Sequence, residues 1–118
     1  MGDTAIIDVP ELIERLDNDF ELYLELLDLF INDSASLISR IENAIINRDS
    51  EALRKAAHTL KGAVANFSAP AAYDAASILE KTGKSKELTN AEAQFLKLKT
   101  EIDSVIKEMK KISQKGSF

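Results

Sequence analysis

The stretch AAHTLKGAVANF, residues 56–67, holds the only histidine of a 118-residue chain. Lys61 follows His58 by three positions and Gly62 by four, the spacing of one helical turn. A neutral imidazole is a nucleophile near pH 7 and needs no separate base to activate it. A lysine one turn away supplies a cation for an anionic group. Phosphoryl transfer asks a protein mainly for position and charge neutralisation, so this trio is the pattern of a phosphoryl acceptor. The competing reading is a surface histidine without a task, and the neighbouring residues must decide between them.

A helical wheel at about 100° per residue gives the orientation. Leu53, Ala57, Leu60, Val64 and Phe67 fall within an arc of roughly 80° and form a core face. His58 lies about 140° from the centre of that arc, toward solvent. Glu51, Arg54, Gly62 and Ala65 share its side of the helix. Glycine inside a helix costs about 1 kcal/mol against alanine. It does not act as a C-cap here, because the apolar stripe continues in phase through Val64 and Phe67. The remaining reason is room: with no side chain at Gly62 and a methyl at Ala65, one flank of the imidazole is bare to another protein. Lys61, with Arg54 beside it, would hold phosphate oxygens. The exposed side of this helix, with Glu51, Arg54, Lys55, Lys61, Ala65 and Asn66, and the helix before it form the candidate docking surface.

Helices must position these residues. Strand-like alternation is missing, and five helices account for the chain. A short one over about 9–16 is capped by Asp8, carries Pro10 in its first turn and has Glu11 at capping-box distance. The segment DND at 17–19 starts a long helix to about Asn47, with Phe20, Leu24, Leu27, Ile31, Leu37, Ile38, Ile41 and Ile45 at bundle spacing. Leu22, Leu26, Leu29 and Phe30 widen that stripe, as if two neighbours cover it. Asp49 or Ser50 caps the third helix, about 51–67. The segment SAP at 68–70 leads into an Ala-rich fourth helix over about 70–82, with Pro70 in its first turn. TGKSKELT (82–89) reads as a polar loop. Thr89 and Glu92 stand at capping-box spacing before a last helix carrying Phe95, Leu98, Ile102, Val105, Met109 and Ile112. The expected fold is an all-α antiparallel four-helix bundle over 19–113 with a short additional N-terminal helix, a single domain over residues 1–118. A coiled-coil oligomer through the last helix is the less favoured arrangement, and a monomer is expected.

Composition narrows the function. A net charge of −5 argues against a general nucleic-acid binder. The basic end KEMKKISQK complements a helix dipole. There is no cysteine, hence no disulfide and no thiolate metal site. One histidine without cysteine is a poor metal-ligand set. Glu21, Glu25 and Asp28 read as a solvated helix face. No signal-peptide pattern and no membrane-length apolar run is present, so a cytoplasmic protein is expected. No Gly-rich phosphate loop or Walker motif occurs, so neither ATP binding nor autokinase activity is expected.

The residues AAHTLKGAVANFSAP resemble the signature of histidine phosphotransfer (HPt) domains, roughly A-H-x-L-K-G-x-x-x-x-x-G-A. The resemblance extends over residues 8–112, including ELLDLF, INRDSEALRKAAHTLKG and SILEKTGKSKEL. It looks closest to modules at the C-termini of hybrid sensor kinases, with the related domain of chemotaxis kinases ranked lower. It implies a four-helix bundle that carries phosphoryl groups between aspartates of receiver domains. Carried over by position, His58 would accept the phosphoryl on Nε2, Lys61 would contact it, and Gly62 would give the receiver access. No cofactor is implied for this chain; Mg²⁺ is expected on the partner receiver. The family usually has Gly where Ser68 stands and often Leu at Ala72, while Ala63 and Val64 replace Ser or other small residues. These departures bear on partner choice rather than chemistry. The alternative function is a non-catalytic bundle adaptor that binds receivers.

Overall fold

The computed structural model describes residues 6–118; the expected domain boundary at residue 1 lies outside the described residues. Five helices follow in order: α1 (Val9–Arg15), α2 (Phe20–Ile46), α3 (Ser50–Ala65), α4 (Pro70–Ser85) and α5 (Ala91–Gln114). Three aspartates begin the first three. Asp8, Asp19 and Asp49 each accept, through Oδ1, the N–H three residues on, at 3.1, 3.0 and 3.0 Å. The turns before α2 and α3 use left-handed backbone at Asp17, Asn18 and Arg48. Asp and Asn tolerate that region because their short polar side chains bond locally.

α2 packs on α3 and α5, and α4 on α3 and α5, so the four long helices close a ring around one core. Short connections make successive helices antiparallel. The expected α3 face is buried throughout: Leu53, Ala57, Leu60 and Val64 are fully enclosed and Phe67 nearly so. All six apolar positions expected of α5 are also buried. α1 places Leu12 in the core beside Ile7 and Leu16, and the Asp8 N–H donates to the Ser68 carbonyl at 2.8 Å. That bond ties α1 to the α3–α4 connection. It also explains why the expected capping box stays half closed: the Asp8 N–H is taken, and Glu11 pairs with Arg15 at 3.2 Å instead.

Three boundaries and one face differ from the sequence reading. α3 ends at Ala65 rather than Phe67, because Ser68 adopts a left-handed φ of 54° and Phe67 N–H folds back to the Val64 carbonyl. α4 runs to Ser85, past Gly83, and stops where Lys86 turns left-handed. α5 begins after Asn90, since the Thr89 hydroxyl donates to Glu87 and does not cap the helix. In α2 the buried stripe is Tyr23, Leu27, Phe30, Ser34, Leu37, Ile41, Ala44 and Ile45, so Leu24 is turned partly outward. The widened stripe is covered only in part: Phe30 is buried and Leu26 half-buried, while Leu29 is 58% exposed and Leu22 37%. Glu21, Glu25 and Asp28 are exposed as expected. Among the described residues no helix is long and apolar enough to cross a membrane.

Candidate functional site: an exposed imidazole held by a buried carboxylate

The site lies between α3 and α4, and a glycine sets their separation. A Cβ built on Gly83 would stand 2.7 Å from the Arg54 nitrogen and 2.9 Å from the Ser50 carbonyl oxygen. Only glycine lets α4 approach the α3 backbone this closely. The close approach brings an acidic residue of α4 under the face of α3 that carries His58.

That residue is Glu80, 6% exposed although ionisable. Its carboxylate serves two partners. Oε2 lies 2.8 Å from His58 Nδ1, and Oε1 lies 2.6 Å from Lys61 Nζ. A buried carboxylate is retained when it is paired and hydrogen-bonded in this way. The Lys61 ammonium holds the Glu80 carboxyl below the usual carboxylate range against the opposing effect of burial, with His58 adding to the shift. The same hydrogen bond raises Lys61 above the usual lysine value, also against desolvation. An ionised carboxylate only accepts, so in the neutral ring the proton sits on Nδ1 and Nε2 keeps its lone pair.

The His58 side chain is 63% exposed, in agreement with the helical wheel. A Cβ placed on Gly62 would meet nothing within 4 Å, so no contact inside the protein requires the glycine. Lys61 is more enclosed than a surface lysine, at 23%, and its ammonium stands 5.9 Å from the centre of the Tyr73 ring on α4. The structure thus brings His58 and Lys61 together through a third residue. Arg54 is engaged elsewhere: its Nε and Nη2 form a fork with the Glu51 carboxylate at 2.9 and 2.6 Å. Glu51, Lys55 and Asn66 are exposed, and Asn66 is the C-cap of α3. Ala65 lines a groove of about 380 Å³ between α1 and the start of α4 rather than the space beside the imidazole.

Sequence reading misses Glu80 and Tyr73. Glu80 stands 22 residues from His58, on another helix, so no local spacing connects them. The available signal is a carboxylate on the edge of the α4 face formed by Ala72, Ala76, Leu79 and Gly83. Ser68, at the position where the family usually has Gly, carries the left-handed backbone that favours glycine. Among the described residues no group of three or more His, Cys, Asp or Glu side chains is arranged to hold a metal ion.

A histidine presented to solvent on α3, the second of the four long helices, and tied at Nδ1 suits a phosphoryl carrier. The Hpt domain family matches residues 25–108, and the chain belongs to that family. It is a histidine phosphotransfer module of the phosphorelay type. Its fold is similar to the crystal structure of histidine-containing phosphotransfer protein B (HptB) from Pseudomonas aeruginosa PAO1. That similarity has a TM-score of 0.89 and 26% identity, and covers 96% of this chain and 98% of the other. No curated protein sequence matches the chain.

Proposed function

We propose that His58 accepts a phosphoryl group on Nε2 from the phospho-aspartate of a receiver domain and passes it to the aspartate of another. The observation that carries this reading is the Glu80–His58 hydrogen bond, which leaves Nε2 unprotonated and facing solvent. The lone pair of Nε2 attacks phosphorus, the P–N bond forms, and the bond from phosphorus to the aspartyl oxygen breaks. The aspartate leaves as a carboxylate. No proton has to leave Nε2, and the Nδ1 proton stays on its bond to Glu80, which stabilises the charge that the ring acquires. Return transfer reverses these steps.

Lys61 has three N–H donors, and Glu80 takes one of them. The others can reach phosphoryl oxygens over the imidazole. The receiver supplies Mg²⁺, and this chain needs no cofactor or ATP of its own. It acts as a monomer, since the main apolar face of each long helix is spent on the shared core. The receiver docks on the open side of α3 at Gly62, Lys55 and Asn66. The exposed leucines of α2, Leu22 and Leu29, extend that surface with apolar area.

The test is the intact mass of wild type and His58→Gln after incubation with phosphoramidate, followed by transfer from a phosphorylated receiver. One phosphoryl that is lost in acid, kept in alkali, absent from His58→Gln and exchangeable with a receiver establishes the carrier. A well-folded wild type that gains nothing from either donor leaves an adaptor that binds receivers without chemistry.

A further inference from the structure

Lys61 is held on two sides. Glu80 bonds its ammonium at 2.6 Å, and the Tyr73 ring faces it at 5.9 Å. Tyr73 belongs to the first turn of α4, two turns before Glu80, so both walls come from one helix while the lysine comes from the other. A cation within about 6 Å of an aromatic centroid is attracted by the ring quadrupole. A four-carbon lysine stem has several rotamers, and Glu80 alone fixes only one end of one hydrogen bond. The groove that Tyr73 also lines carries the carboxylates of Asp8 and Glu11, and Glu11 pairs there with Arg15 at 3.2 Å. Tyr73 lines that groove and Lys61 does not.

We propose that Tyr73 is a positioning residue for phosphoryl transfer: its ring confines the Lys61 ammonium to the Glu80–His58 side of the α3–α4 interface. The proposal rests on the reading of His58 as acceptor but is a claim about Lys61 geometry that stands apart from it. Tyr73 touches neither the imidazole nor Glu80 in the hydrogen-bond network; it acts through Lys61. Its hydroxyl has no task here, so phenylalanine should serve as well and leucine should not.

Two measurements test it, both on the intact chain. The first needs no partner. The Lys61 side-chain protons should show an upfield ring-current displacement in the NMR spectrum of wild type and of Tyr73→Phe, and lose it in Tyr73→Leu. The second is single-turnover transfer from a phosphorylated receiver as a function of receiver concentration. Tyr73→Leu should lower the saturating rate roughly two- to fivefold, the size of an exposed cation–π contact, and leave the half-saturating concentration unchanged. Tyr73→Phe should restore the rate. A raised half-saturating concentration at an unchanged rate would make Tyr73 a docking contact and overturn the proposal. So would a Lys61 signal that does not respond to Tyr73→Leu. Failure of wild type to take phosphoryl at all would count against His58 as acceptor, and the NMR result would still decide where Lys61 is held.

Discussion

A single buried carboxylate organises the chemistry of this surface. Glu80 sets which imidazole nitrogen is free and where the nearest cation rests, through bonds of 2.8 and 2.6 Å. Removing it should act on His58 in a way that can be seen without a partner. In Glu80→Ala the neutral ring loses the acceptor that fixes its tautomer. Nitrogen NMR should show the proton on Nδ1 in wild type and shared between both nitrogens in the variant. Transfer should fall about tenfold or more, the worth of one hydrogen bond to a charged group. A variant with an unchanged tautomer and rate would remove Glu80 from the mechanism. The same residue gives a pH signature. In the folded protein its carboxyl is held below the usual carboxylate range, first by the hydrogen bond from Lys61. A depressed folded value means stability present above the unfolded value and lost as pH falls through the folded one. Denaturation of wild type and Glu80→Gln should therefore differ most near neutral pH, and the difference should shrink as pH drops below about 4.5.

At the scale of helices, two glycines have opposite tasks. Gly62 has open space where a Cβ would go, whereas Gly83 has the α3 backbone there. Gly62→Ala should stabilise the fold by up to about 1 kcal/mol, the propensity difference in a helix. It should also slow receiver transfer by roughly ten- to a hundredfold, because a displaced approach is costly in a reaction that depends on alignment. Gly83→Ala should lower stability by about 1–3 kcal/mol, the usual cost of overpacking. Chemical denaturation and transfer assays separate the two effects; undiminished transfer in Gly62→Ala would mean that access is not what the glycine provides. The pair also marks how far the sequence can be read. Rotation of α3 is legible because five apolar residues fix its core face, and His58 is exposed as that face requires. Register between α3 and α4 is not legible, because it depends on a contact between two backbones. Gly83 by itself suggests a loop; only against Arg54 and Ser50 does it belong inside α4. Glu80 is obscured for the same reason, since it becomes a partner of His58 only after the helices have met.

For the molecule as a whole, the charge balance at the proposed docking face differs from its formal count. The chain carries a net −5, and receivers are often acidic around their aspartate, so approach is opposed at long range. α3 has three cations near the imidazole, but two are neutralised within the protein: Arg54 by Glu51 and Lys61 by Glu80. Lys55 is exposed and has no carboxylate within ion-pair distance among the described residues. It is therefore the α3 cation available to steer a partner before contact. Lys55→Glu changes the local charge by two units. At about 10 Å in water that is worth about 0.8 kcal/mol, or roughly a fourfold loss in the second-order transfer rate at low ionic strength. The loss should fade toward 1 M salt, where the screening length is about 3 Å, and the rate at saturating receiver should not change. Arg54→Glu would disturb the Glu51 fork as well, so Lys55 is the cleaner probe. If Lys55→Glu transfers at the wild-type rate in dilute buffer, steering comes from α4 instead, where Lys81 and Lys84 are also exposed, and the docking face must be centred nearer that helix.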